Sequence, residues 1–139
     1  MDRFTPKKRS EIMSKVRSSG TRPEQLLIYV LRKLKYKFRI QAEDLPGKPD
    51  AVIDKLKIAI FVHGCFWHSH AECPRAKLPV SNRVFWRNKI GSNRRRDQRE
   101  IFYLRKMGWS VAVFWTCNPI SVYTVENRIN RIRNRRRAR

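Results

Sequence analysis

Residues 61–73 read FVHGCFWHSHAEC and hold all three histidines of the chain, His63, His68 and His70, together with two of its three cysteines, Cys65 and Cys73. An imidazole can accept or release a proton near neutral pH, and thiolates and imidazoles are the usual ligands of zinc. This stretch therefore offers a proton-transfer site and a metal site side by side. Strand pairing brings Asp50 to the same place. It opens the segment AVID, and LKIAIFV follows after a short turn, which is a hairpin signal. In such a hairpin Asp50 lies across from about residues 59 to 62, where the histidine-bearing strand ends. A carboxylate and imidazoles then meet at one edge of a sheet. Phosphodiester hydrolysis uses this combination. A hard divalent ion such as Mg²⁺ takes oxygen ligands and offsets charge building on phosphate, while a neutral imidazole takes a proton from water. Asp50 alone would read as a turn cap; the histidines make it a candidate.

The soft ligands suggest a second centre. His70 and Cys73, with two residues between them, make half of a zinc site, and Cys117 follows a later strand. The fourth ligand could be His63, His68, Cys65 or an acid such as Asp97, the one carboxylate in the basic run NRRRDQR. Cys73 and Cys117 read equally well as buried free thiols. Glu24 stands three residues after Thr21 in TRPE, the spacing of a capping box. Phe66 and Trp67 stand between His63 and His68, and Trp86 lies in a basic segment; these three could wedge between bases, whereas Phe85 and Trp115 are expected to pack in the core. No glycine-rich phosphate loop or nucleophile elbow is present.

The elements that must position these groups can be read coarsely. A basic helix is expected at about residues 5–17, with Ile12, Met13 and Val16 apolar, and a second helix starts at Thr21 with Leu26, Leu27, Val30, Leu31 and Leu34 on one face. Two strands follow, then a long basic helical segment from about 82 to 107 in which Gly91 is a candidate break, then the strand SVAVFW. A last helix is expected from Asn118–Pro119, with Val122, Val125, Ile129 and Ile132 as its stripe. The order implies an α/β fold, a small mixed sheet flanked by helices. The 139 residues suit one domain that ends in an Arg-rich tail at about 128–139. A net charge of +22, with 33 Lys and Arg against 11 Asp and Glu, calls for a polyanionic partner, and nucleic acid fits best. The apolar runs are too short to cross a membrane, the start lacks a signal-peptide core, and three cysteines suit thiols or metal ligands in a reducing cytoplasm.

The stretches LPGKPDAVID, IFVHGCFWHSH, FWRNKIGSNRRRDQRE and LRKMGWSVAVFW, with Cys117 after them, follow in an order that resembles the very short patch repair (Vsr) DNA mismatch endonucleases. The resemblance covers about residues 8 to 117 and implies a relative of the type II restriction endonuclease fold. It further implies a Mg²⁺-dependent, monomeric enzyme of the bacterial cytoplasm and nucleoid that nicks double-stranded DNA 5′ to the T of a T:G mismatch. Asp50 and the main-chain carbonyl of Val62 would hold Mg²⁺. His68 would be the general base, assisted by Glu24, with His63 near the scissile phosphate. His70, Cys73, Asp97 and Cys117 would hold a structural Zn²⁺. Phe66, Trp67 and Trp86 would enter the DNA from one groove and Met13 from the other. The chain departs from the family pattern at Val62, where threonine is usual, and by one extra residue between His70 and Cys73. A homing or restriction-type nuclease with another target, and a zinc-stabilised nucleic-acid-binding module without catalysis, are the competing readings.

Overall fold

The computed structural model describes residues 21–138; the N-terminal helix expected at about 5–17, and Met13 with it, lies outside them. Helix α1 (Arg22–Lys33) leads to a two-residue strand β1 (Arg39–Ile40), then β2 (Ala51–Ile53), β3 (Ile58–His63), helix α2 (Arg83–Lys106), β4 (Ser110–Trp115) and helix α3 (Val122–Arg137). The sheet order is β1-β2-β3-β4. β1, β2 and β3 pair antiparallel, and β3 and β4 pair parallel, as a crossover through α2 requires. The expected hairpin is present, with Ala51 opposite Ile60 and Ile53 opposite Ile58.

Alternation along the strands sorts the side chains to two faces. Ala51, Ile53, Ile58, Ile60, Ala112 and Phe114 pack with Leu27, Val30 and Leu31 of α1 and Val125, Ile129 and Ile132 of α3. Val52, Ala59 and Phe61 pack with Leu104 and Trp109, on the face that α2 covers. Burial on both faces explains why β2 and β3 read as unbroken apolar runs rather than alternating ones. By the same alternation Asp50 and His63 belong to the α2 face, since each lies two residues from a member of that cluster, Val52 or Phe61.

Several expectations are corrected. Gly91 does not divide α2, which runs unbroken for 24 residues. One glycine costs about 1 kcal/mol in a helix, and Ile90 and Asn93, buried on either side of it, hold the turn in place. The last helix begins at Val122 rather than Asn118–Pro119. Ser121 and Thr124 form its capping box, and Val122 stays exposed, so the buried stripe is Val125, Ile129 and Ile132. The Arg-rich end is helical through Arg137. Thr21 makes no side-chain capping bond, and Glu24 turns inward instead. Leu26 is exposed. Strand β1 was not legible because both its residues are exposed; it is held by Arg39, which donates to Asp44 and Asp54.

Ile129 has no solvent exposure and sits in the core that α3 shares with α1 and the sheet. Ile129→Ala should cost about 2–4 kcal/mol, measured by urea denaturation; a loss under 1 kcal/mol would show that α3 does not complete this core.

Candidate active site and metal centres

The hairpin places Asp50 where its carboxylate can reach the end of β3. Its Oδ2 accepts a hydrogen bond from the Val62 amide at 2.7 Å. Gln41 also hydrogen-bonds this carboxylate, and Glu24, from the first turn of α1, lies beside it. Burial pushes the Asp50 carboxyl up to about 7; the Val62 amide opposes the rise and Glu24 adds to it. Two acids in contact, in a chain with so large a cationic excess, mark a place built for a positive charge.

His63, buried at the end of β3, stacks face to face on His68, with ring centroids 3.9 Å apart and an interplanar angle of 4°. His68 Nδ1 lies 2.5 Å from Asp97 Oδ2. With Nδ1–H donated to the carboxylate, Nε2 carries the lone pair that can take a proton. Burial pushes His63 down to about 4, His68 lowers it further and Asp97 opposes the fall. His63 is therefore neutral at neutral pH and serves as a flat support for the His68 ring. Glu24, Asp50, His63, His68 and Asp97 all line one cleft of about 560 Å³, together with Arg96 and Glu100.

The loop after β3 folds back through hydrogen bonds from His68 N to Gly64 O and from His70 N to Cys65 O. It gathers Cys65, His70, Cys73 and Cys117, whose ligand atoms all lie within 4.8 Å of one another. Cys117 Sγ and His70 Nδ1 are 3.4 Å apart. Burial tends to raise the Cys65 thiol, but hydrogen bonds from Thr116 and Cys117 outweigh it and bring Cys65 down to about 7. Burial and the neighbouring Cys65 and Cys73 push Cys117 up to about 11. Ser69 and Glu72 adopt left-handed backbone (φ 52° and 58°), which gives the extra residue before Cys73 room to turn back. Trp115 joins the two centres: its ring stacks on His70 at 4.1 Å and meets His63 edge-on at 5.3 Å.

The geometry redistributes two carboxylates. Asp97, expected among the zinc ligands, instead pairs with His68, and Cys65 completes the soft cluster. Glu24, expected to assist His68, sits against Asp50, so the carboxylate that orients His68 is Asp97. Asp97 and Glu100 stand three apart on α2 and both line the cleft, but only the packing of α2 decides that this side faces it, so spacing alone could not assign Asp97 to His68. Gln41 carried no signal either, because it stands in a polar loop.

Phe66, Trp67 and Trp86 do come together, with centroids 5.3 to 6.0 Å apart. Trp86 is only 5% exposed and backs the other two, while Phe85, expected in the core, is 57% exposed. Trp115 is partly buried between the two centres. Asn93, itself buried, donates from Nδ2 to the Trp67 carbonyl at 3.2 Å and ties the aromatic turn to α2.

Two predictions follow from these contacts. Asp50 has a folded-state pKa above its unfolded value of 3.8, so the native chain binds more protons and loses stability as pH rises toward about 7. In chelator, Asp50→Asn should be more stable than the parent at pH 8 by about 1–4 kcal/mol, with the gap closing toward pH 4 in urea titrations. Elemental analysis should find zinc depleted in Cys65→Ser and retained in Asp97→Asn; the reverse pattern would restore Asp97 to the metal centre.

Comparison with known proteins bears on this geometry. Residues 1–75 match the family model described as DNA mismatch endonuclease Vsr. The chain is 43% identical over 131 residues to the type II nicking enzyme V.XorIIP of Xanthomonas oryzae pv. oryzae, covering 94% of this chain and 96% of that protein. It is 38% identical to V.NmeAIP of Neisseria meningitidis, also a type II nicking enzyme, over 94% of this chain and 93% of that one. It is 41% identical to the DNA mismatch endonuclease Vsr of Escherichia coli, over 78% of this chain and 69% of that one. Among the described residues no helix is long and apolar enough to cross a membrane.

Proposed function

The chain belongs to the Vsr family of DNA mismatch endonucleases and is a DNA endonuclease, and from that premise we propose that it nicks one strand 5′ to the T of a T:G mismatch, the product of 5-methylcytosine deamination. The observation that carries this reading is the convergence of the Asp50–Glu24 carboxylates and the Asp97–His68 pair on one cleft, next to the Phe66–Trp67 turn.

The residues fit two different metals. The Asp50 carboxylate and the Val62 main-chain carbonyl, with Glu24 adjacent, are oxygen donors suited to Mg²⁺, and a divalent ion relieves the repulsion between the two acids. Three thiols and one imidazole, Cys65, Cys73, Cys117 and His70, suit a four-ligand structural Zn²⁺. Bound there, Mg²⁺ would offset the charge that builds on the phosphate oxygens as water attacks phosphorus. His68 Nε2 accepts the proton of the attacking water. Asp97 holds the ring by Nδ1 and stabilises the imidazolium that results. His63 restrains the His68 ring by stacking and lies against the phosphate path. The cysteine cluster fixes both ends of the loop that carries Phe66, Trp67 and His68, so wedge and base move together as one unit. Phe66 and Trp67, backed by Trp86, supply an apolar wedge that separates a weakened base step.

The test uses two duplexes identical except for T:G or C:G at one position, with and without Mg²⁺. Nicking should require both the mismatch and the ion, and His68→Ala should slow it by about 10²–10⁴-fold. Equal nicking of both duplexes would exclude mismatch specificity, and an undiminished rate in His68→Ala would remove that residue as the base.

A further inference from the structure

The catalytic cleft lies where β3 ends, at His63, and where α2 presents Asp97. The cationic excess is not confined to that end. At the opposite end of the sheet, where β4 begins at Ser110, a second cavity of about 500 Å³ is lined by Arg105, Trp109, Ser110, Arg135 and Arg136. Arg136 is committed to the fold. It donates to the Leu56 carbonyl, to Lys57 O at 2.7 Å and to Ser110 Oγ, and so straps the end of α3 to the turn between β2 and β3. Arg105 and Arg135 are exposed, and among the described residues no ion pair holds either. Lys57 approaches the same place, its Nζ 3.9 Å from where a Cβ on Gly108 would stand. Asp54, the nearby acid on the β2–β3 turn, is occupied by Arg39 at 2.7 Å. After Glu126 the chain has no further acid to its end.

The distance between the two ends sets this cavity apart from the catalytic cleft. The strand β3 alone spans ~17 Å at ~3.3 Å per residue. Helix α2, from Trp86 near the aromatic wedge to Arg105 at the second cavity, spans ~29 Å at 1.5 Å per residue. A duplex that crosses the end of the sheet at the catalytic cleft lies away from this cavity, whereas one that runs along α2 would meet both, and nicking of a short duplex by a variant of the second end tells the two apart. A row of guanidinium and ammonium groups without carboxylate partners is the recognition chemistry of a phosphodiester backbone.

We propose that the end of the molecule formed by Arg105, Ser110, Arg135 and Lys57 is a second duplex-binding surface, which holds a DNA segment other than the one being cut. It contacts phosphates only, so it has no sequence preference, and it lets the enzyme bridge two segments and pass between them. The inference rests on DNA as the substrate and is independent of the mismatch reading.

A bead assay tests it. Unlabelled long duplex is fixed to beads, full-length protein is added without divalent ions, and capture of a second, fluorescent long duplex is measured across salt concentrations. The wild type should capture the second duplex with a steep salt dependence. The double variant Arg105→Ser/Arg135→Ser should capture at least about tenfold less and flatten the salt slope by about 2, as expected for two lost phosphate contacts. Nicking of a short duplex by the same variant, with Mg²⁺ present, should be unchanged, which also reports correct folding. The proposal is overturned if the wild type captures nothing or if the variant captures as well as the wild type, as bridging by a dimer through two catalytic clefts would allow. A parallel fall in short-duplex nicking would also overturn it, because it would place these arginines on the duplex being cut.

Discussion

The structure turns on two carboxylates held against each other. Asp50 and Glu24 come from elements far apart in sequence, the lead-in to β2 and the first turn of α1, yet they share one partly closed cleft. In isolation the arrangement is unfavourable: burial and mutual repulsion hold a proton on Asp50 well above the usual carboxylate range. The fold maintains it through the Val62 amide, which fixes the Asp50 carboxylate, and through a core in which Leu27, Val30 and Leu31 lock α1 to the sheet. A site whose ordinary cost is a few kcal/mol of stability persists where function needs the charge.

Around this pair the second acid–base unit is kept separate by topology. The β2–β3 hairpin delivers Asp50, whereas the crossover helix α2 delivers Asp97 to His68. The same loop that presents His68 is tied by Cys65 at one end and Cys73 at the other, with Cys117 arriving from beyond β4. Trp115 packs between His63 and His70, so a shift at the cysteine cluster is felt by the stacked histidines. The charge that favours DNA lies outside these tightly packed units, on the exposed faces of α2 and α3, where it costs little desolvation.

Much of this was legible in residue order. The β2–β3 hairpin follows from two short β-branched runs, and its register predicted that Asp50 would meet the end of β3. The clustering of His63, His68 and His70 announced the site, and the stripe of Leu27, Val30 and Leu31 announced the core face of α1. What was not legible depends on tertiary pairing. Nothing in spacing distinguishes Cys65 from Asp97 as the partner of His70, because the choice depends on which side of α2 faces the cleft. Glu24 had a local capping explanation that the packing of α1 overrode. The exposed pair Arg39–Ile40 has no strand pattern, and it pairs because β2 offers it an open edge. Trp86 is covered and Phe85 exposed for the same reason: adjacent residues on a helix point about 100° apart, and only the position of the Phe66–Trp67 turn decides which one is covered.

The central claim is that the Asp50–Glu24 pair forms a seat for a hard divalent cation. Its most direct measurement is the titration of the Asp50 side-chain carboxyl by carbon-detected NMR, with and without Mg²⁺. The account predicts a midpoint near 7 in chelator that falls by more than one pH unit when Mg²⁺ is added. A midpoint that stays the same with and without Mg²⁺ would contradict it.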